Sequence, residues 1–176
     1  MTTNSPLLIP CLIVLVGPPG SGKTTWARRN GDGVVHVSQD DLIYAITPTG
    51  FDHAYRPVYQ AAEEAAARAA LRAGHTVIVD RTNRTRTHRR RWLELSCQES
   101  RPAIAVVMST SKELCRERNS KRDAARRLTK ERMERMFAVF EPVGRDEGFA
   151  SIYLENGTGE GIRLEEILYE YCNQAR

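Results

Sequence analysis

Stretches rich in Val and Ile alternate along the chain with stretches of helical character, the pattern of a parallel sheet covered by helices. The apolar runs predict strands at 8–16, 34–38, 76–80, 103–109 and 152–154. Between them the polar and apolar spacing predicts helices at 23–29, 53–73, 87–99, 112–119 and 129–140, with a last one at 164–171. The Ala-rich run at 61–70 has high helix propensity, and Gly74 supplies a stop after it. No internal repeat or low-complexity linker interrupts the alternation, so residues 1–176 read as one α/β domain.

Composition adds limits rather than direction. At 176 residues the chain is long enough to bury a core without metal or disulfide staples. A hydrophobic fraction of 41% and a charged fraction of 27% are those of a folded globular protein. The apolar run from Leu7 to Val16 is broken by Pro10 and has no basic flank or cleavage site. It is too short to span a bilayer and leads straight into a glycine-rich loop, so the expectation is a buried strand in a cytoplasmic protein with no membrane partner. Cys11, Cys97, Cys115 and Cys172 are scattered, with no C-x-x-C pair, and read as buried free thiols. The net charge of +4 and pI near 9.0 permit a nucleic-acid partner without requiring one. Placement of charge therefore matters more than its sum.

The chemistry begins at Gly17-Pro-Pro-Gly-Ser-Gly-Lys-Thr24, which fills every fixed position of G-x-x-x-x-G-K-[ST]. At average residue frequencies this arises by chance in about one chain in a hundred of this length, or fewer. Gly17, Gly20 and Gly22, with Pro19 and Ser21 between them, allow backbone N–H groups to turn inward around phosphate oxygens at a helix N-terminus. Lys23 then reaches the β- and γ-phosphates of ATP, the Thr24 hydroxyl ligates Mg²⁺, and Thr25 donates to the α-phosphate. A plain Gly-Pro turn does not account for Lys and Thr at these places. The absence of N-K-x-D and L-S-G-G-Q argues against a GTPase and an ABC transporter.

In open parallel sheets ligands sit beyond the carboxyl ends of the strands. The second strand ends at Ser38 and is followed by Gln39-Asp40-Asp41. Ser38 and Asp41 form a capping-box pattern that gives Asp41 a structural task and leaves Asp40 free. Asp40 either orients an acceptor hydroxyl and takes its proton, or complements a helix N-terminus. The third strand closes on Asp80, the position of a Walker-B-type carboxylate near Mg²⁺. Arg81, Arg84, Arg86, Arg89, Arg90 and Arg91 follow, with Thr82 and Asn83 between. Such a run is either a solvated face or, starting at the ligand edge, a strip of contacts to a phosphate backbone, with Arg81, Arg84 and Arg86 nearest. After the fourth strand, Arg116, Arg118, Lys121, Arg122, Arg126 and Arg127 crowd together. They read as a solvated helix face or as a lid that brings arginine to a transferring phosphoryl group.

Taken together these residues resemble the 5′-polynucleotide kinases, the kinase half of phage and bacterial end-healing enzymes. The resemblance lies in Pro19 to Arg28, Asp40-Asp41, Thr82-Asn83, Arg118-Asn-Ser-Lys-Arg122 and the N-G-T at Asn156–Thr158, in the family's order over nearly the whole chain. It implies a P-loop kinase-type sheet of five parallel strands in the order 2-3-1-4-5. It implies Asp40 as general base toward the 5′-hydroxyl of DNA or RNA, Arg118 and Arg122 as lid residues on the phosphates, and Asn156 and Thr158 near adenine. The family often carries an arginine three residues after that aspartate, on the 3′-phosphate of the terminal nucleotide; here the position is Ile43. No D-x-D-x-T motif is present, so any phosphatase or ligase partner in end repair is expected on a separate chain.

Three functions stay open from sequence. The first is transfer of the ATP γ-phosphate to a polynucleotide 5′-hydroxyl, favoured by the arginines after Asp80. The second is a kinase for a sugar, nucleoside or antibiotic, which Ile43 makes more plausible. The third is an ATP-dependent regulatory module with no acceptor.

Overall fold

Leu12, Ile13, Val14, Leu15 and Val16 are all fully buried, and this unbroken apolar run is the central strand β1 (Leu12–Val16). A strand covered on both faces has no need of polar alternation. A computed structural model of the chain describes residues 9–124, 126–157 and 161–174. β1 pairs with β3 (Val77–Asp80) on one side and with β4 (Ala103–Met108) on the other. β2 (Val35–Ser38) lies outside β3, and β5 (Ser151–Glu155) lies outside β4. Every pairing is parallel, and the sheet order is β2-β3-β1-β4-β5. The predicted five-stranded architecture is the observed one.

Among the described residues seven α-helices flank the sheet: α1 (Lys23–Arg29), α2 (Gln39–Ile46), α3 (Arg56–Arg72), α4 (Arg86–Gln98), α5 (Lys112–Ser120), α6 (Lys130–Ala138) and α7 (Leu164–Gln174). Of these, α2 is absent from the helices read in the pattern, although its cap is legible: Ser38 Oγ accepts from the Asp41 N–H at 3.3 Å. Eight residues are too few to show a period. Two starts also move. Asp52 caps a separate 3₁₀ turn at His53–Tyr55, so α3 begins at Arg56, with Pro57 in its first turn where no N–H is required. β1 begins at Leu12, after Pro10, which has no N–H to give a ladder.

Alternate residues of the sheet feed two cores. Ile13, Leu15, Ile78, Ile104 and Val106 pack with Trp26 of α1 and with Ile167 and Leu168 of α7. Leu12, Val14, Val16, Val77 and Val79 pack with Ala67 and Leu71 of α3 and with Trp92 and Leu95 of α4. A third cluster, Cys115, Met133 and Phe137 with Leu128 against it, joins α5 to α6. All four cysteines are free, but only Cys11 and Cys115 are buried; Cys97 is exposed because it lies on the outer side of α4, and Cys172 is half-buried. Among the described residues no helix is long and apolar enough to cross a membrane.

Parallel pairing brings the carboxyl ends of the strands to one edge. Val16, Ser38, Asp80 and Met108 each end a strand there, so four following loops converge on one place.

Candidate active site

The loop between β1 and α1 is built around two left-handed glycines, Gly20 (φ 81°) and Gly22 (φ 101°). A Cβ at Gly20 would stand 2.5 Å from the Cys115 carbonyl oxygen, and one at Gly22 would stand 3.2 Å from that of Gly157. Any side chain would be both strained and crowded, so the backbone bends here only because these positions are glycine. The start of the loop is pinned from β3: the Gly17 N–H donates to Thr82 O at 3.1 Å. Asn83, buried and left-handed at φ 44°, donates from Nδ2 to Leu15 O at 2.7 Å and accepts from Trp92 Nε1 at 3.1 Å. The Thr82-Asn83 pair thus fixes the loop from behind.

Lys23 is buried, with Nζ donating to Pro18 O at 2.8 Å and lying 3.4 Å from Ser21 Oγ. Burial pushes its pKa down to about 8; Asp80 opposes that and Arg122 adds to it. An ammonium placed where its charge is disfavoured, inside a glycine cradle, suits an anionic phosphate chain. Asp80 is also buried, which alone would raise its pKa. The close approach of His36 and of the Thr24 hydroxyl and the charge of Lys23 prevail and hold the carboxyl below its usual range. His36 Nε2 lies 3.4 Å from Asp80 Oδ2 without the alignment of a hydrogen bond. One ionised carboxylate beside one hydroxyl is a hard-oxygen pair of the kind that holds Mg²⁺ together with phosphates and water. Among the described residues no cluster of three His, Cys, Asp or Glu side chains competes for a metal.

From the loop a cleft of about 360 Å³ runs outward between α2, the segment after β3, and the loop joining α5 to α6. Pro19, Lys23, Thr24 and Asp80 line its inner end. Asp40, exposed in the first turn of α2, lines it further out, whereas Asp41 does not reach it. The two carboxylates of the pair therefore part: Asp41 supplies the capped N–H, and Asp40 faces the cleft. Ile43, buried, and Tyr44 and Phe51, part-exposed, line the same wall.

The arginines after β3 do not form the expected strip. Arg81 lines the cleft but is ion-paired to buried Glu63 at 2.7 Å. Arg84 lines it with a buried Nε that has no hydrogen-bond partner among the described residues. Arg86 turns away, pairing with both oxygens of Asp146 at 2.7 and 2.8 Å, and is not a cleft residue. Of the three arginines expected on an acceptor strand, Arg86 is the one the structure sets outside the cleft lining. Arg89 is fully buried, bonding both oxygens of Glu147 and the carbonyls of Asn83, Glu141 and Pro142. Arg91 pairs with Glu63 and lies over the Trp92 ring at 4.2 Å.

The second arginine segment divides differently. Arg116 does not line the cleft, pairing with Glu134 and lying 5.2 Å from the Phe137 ring centroid. Arg118 donates to Gly157 O at 3.0 Å and to Gly20 O at 3.4 Å, so it braces the phosphate loop against the loop after β5. Thr110 adds to that brace, donating to Ser21 O at 2.8 Å and to Asn156 O at 3.3 Å. Asn156 thus lies beside the phosphate loop, and Thr158 lies outside the described residues. Arg122 and Arg126 stand on the non-helical stretch between α5 and α6 and line the cleft. Buried Asn119 clamps that stretch shut, donating to Leu128 O at 2.8 Å and accepting from Leu128 N at 3.1 Å.

The model of the family described as AAA domain matches residues 12–143, three-quarters of the chain. The chain belongs to the AAA domain family. No curated protein sequence matches it. Among solved structures this AAA domain is similar to Chaetomium thermophilum Kti12 in complex with ADP-AlF3, with a TM-score of 0.70, 20% identity, and coverage of 92% of this chain and 97% of that one. It is also similar to a chain of the Pnkp1/Rnl/Hen1 RNA repair complex, with a TM-score of 0.66, 25% identity, and coverage of 82% of this chain but only 51% of that one. A third is the Mycobacterium tuberculosis APS kinase CysC in complex with AMPPNP and APS, with a TM-score of 0.58, 17% identity, and coverage of 94% and 97%. The fold is that of a P-loop kinase.

Several cleft residues of this AAA domain carry no sequence signal of their own. Tyr44, Phe51, His88, Arg132 and Met136 line it from α2, the turn before α3, α4 and α6. Arg132 stands ninety-two positions after Asp40, and only the packing of α6 on α5 brings the two to one cleft.

Proposed function

We propose that this domain transfers the γ-phosphate of ATP to the 5′-hydroxyl end of a nucleic-acid strand. The observation that carries the reading is the charge of the cleft beyond Asp40. Arg56, Arg84, Arg122, Arg126 and Arg132 all line it, and among the described residues none has a carboxylate partner. Guanidinium groups left unpaired around one cleft suit an acceptor that brings several phosphates. The 25% identity to a chain of an RNA repair complex supports the same class of acceptor.

ATP supplies the phosphoryl group, and Mg²⁺ offsets its charge. Thr24 and Asp80 are the residues that would hold the metal, and the glycine cradle with Lys23 the phosphates. Thr25 stands exposed on α1 next to Thr24 and is proposed to donate to the α-phosphate. Arg118 keeps the cradle closed toward Asn156, the side proposed for adenine. Asp40 accepts the proton of the acceptor hydroxyl as the new ester bond to the γ-phosphorus forms and the bond to the β-phosphate oxygen breaks, releasing ADP. Arg122 balances the charge that grows on the oxygens in flight. Arg56 and Arg84 stand where an acceptor phosphate can be met without an arginine at position 43.

Ile43 favours a second reading, a kinase for a small uncharged acceptor, because a buried isoleucine on the acceptor wall offers no donor. Incubation with γ-labelled ATP and a panel of 5′-hydroxyl oligonucleotides, nucleosides and sugars separates the two. Label on oligonucleotides, lost in Asp40→Asn with ATP affinity retained, is the expected result. Label confined to nucleosides or sugars would transfer the assignment to the second reading, and no label on anything would end both.

A further inference from the structure

The acceptor wall carries two aromatic rings that the phosphate chemistry does not use. Tyr44 is 39% exposed and Phe51 41% exposed, and both line the cleft. Aromatic surface grouped inside a cleft is the kind of exposed patch that marks a binding site. Both rings are held in place. The Thr47 hydroxyl bonds Ile43 O, Gly50 O and the Tyr59 hydroxyl at 2.9, 2.8 and 2.5 Å, which fixes the turn joining α2 to Phe51. Phe51 packs edge-on against His53 at 4.9 Å and tilted against Tyr59 at 5.6 Å. Tyr44 has the Arg126 guanidinium over its ring, and Gly50 leaves open the space beside it, where an added Cβ would stand 3.8 Å from Cε1.

We infer that Tyr44 and Phe51 form a stacking platform for the base of the acceptor's 5′-terminal nucleotide, and that this base must be unpaired to reach it. The inference rests on the phosphotransfer reading above. Its geometry comes from α2: Asp40 and Tyr44 are four residues apart, on one face of the helix, about 6 Å along its axis. A nucleoside whose 5′-oxygen lies at Asp40 therefore carries its base to the level of Tyr44. The guanidinium of Arg126 lies 5.7 Å from the Tyr44 ring centroid, so the platform meets the basic loop at the strand's expected path. Stacking on an aromatic ring uses the face that every base possesses, so the platform selects an unpaired nucleotide without reading which one it is. A sugar acceptor has no such face, which makes the platform a feature of substrate class.

The test compares two oligonucleotides of one sequence, with a normal 5′-terminal nucleotide or with an abasic tetrahydrofuran residue there, on wild type and on Tyr44→Leu/Phe51→Leu. Base stacking of this kind corresponds to roughly 10-fold in affinity. The wild type should use the abasic end about 10-fold less efficiently, mainly through acceptor KM. The variant should lose the same factor on the normal end and nothing further on the abasic end. Equal use of both ends by the wild type would overturn the platform, as would a variant that loses equally on both. An oligonucleotide with 2-aminopurine at its 5′ end gives a second readout that needs no catalysis: its fluorescence should be quenched by wild type and not by the variant. Quenching that depends on Tyr44 and Phe51, with no label on any oligonucleotide, would uphold the platform while sinking the phosphotransfer reading. Quenching that persists in the variant would sink the platform alone.

Discussion

Two arginine-rich segments of similar composition follow β3 and β4, and the fold treats them in opposite ways. After β3, carboxylates from distant segments meet the guanidinium groups: Glu63 takes Arg81 and Arg91, Asp146 takes Arg86, and Glu147 takes Arg89. Of these arginines Arg84 alone lines the cleft with no such partner among the described residues. After β4, Arg116 pairs with Glu113 and with Glu134 of α6 and Lys121 pairs with Glu117 of α5, while among the described residues Arg122 and Arg126 on the intervening loop have no carboxylate partner. The first segment is chiefly a scaffold that locks α4 to α3 and to residues 141–147, whereas the second leaves a reserve of charge on the cleft that no carboxylate among the described residues takes up. Local charge density therefore says little about role; the partners that the fold supplies decide it.

The largest effect should come from the reserve. Arg122→Ala should lower the rate constant for phosphoryl transfer roughly 10³-fold, while thermal unfolding stays within about 0.5 kcal/mol of wild type. Arg122→Lys should recover only part, since an ammonium cannot form the guanidinium fork. Single-turnover assays beside melting curves check this, and a kinetically silent Arg122→Ala would make the loop a mere solvated surface.

Arg89→Met should show the converse. It takes from the Glu147 carboxylate its bidentate partner, leaving the Gly144 N–H and a distant Arg86, and strips the carbonyls of Asn83, Glu141 and Pro142 of theirs, at about 3–5 kcal/mol, or roughly 10 °C in melting temperature for a chain of this size. Nucleotide affinity of the folded fraction should hold. If Arg89→Met instead melts like wild type and loses acceptor binding, the assignment of that segment to scaffolding is wrong.

Lys23 sharpens the contrast from within the site, because it is a buried cation whose charge awaits phosphate. A folded-state pKa of about 8, against 10.5 for the free group, means the unfolded chain binds more protons between those values. The cost of burying the charge is thus full below pH 8 and fades toward pH 10.5. Lys23→Met should raise the stability of the ligand-free protein by about 1–3 kcal/mol at pH 7, and the gain should vanish by pH 10.5. Urea unfolding at a series of pH values measures it, and a variant that is less stable at pH 7 would contradict the argument. Saturating ATP should reverse the order of the two proteins.

The smallest effect separates neighbours two positions apart. Acceptor affinity should fall with rising salt, and Arg84→Gln should flatten that dependence by up to about 0.7 in logarithmic slope, one phosphate contact on a single strand. Arg86→Gln should leave the slope alone. Equal flattening by both would return Arg86 to the acceptor path.

The contrast also marks where sequence reasoning stops. The phosphate loop is legible because its work is local: Gly20, Gly22, Lys23 and Thr24 are contiguous, and their backbone angles follow from residue type. The strand pattern is legible for the same reason, since burial on both faces of β1 demands five apolar residues in a row. Ser38 and Asp41 even disclose the cap of α2, though its eight residues are too short for a period to reveal the helix. Sequence alone thus determined the sheet, the cradle and the candidates at the strand ends. Only tertiary structure decided which arginines remain available, because an ion pair such as Arg89 with Glu147 spans fifty-eight positions and depends on how α4 meets a distant segment. It likewise decided that Asp40 rather than Asp41 faces the cleft, that Arg118 braces two loops, and that Tyr44 and Phe51 stand open beside them. Local propensity fixes a residue's backbone, whereas its solvent, its charge partner and its direction are set by elements that the chain brings together only on folding.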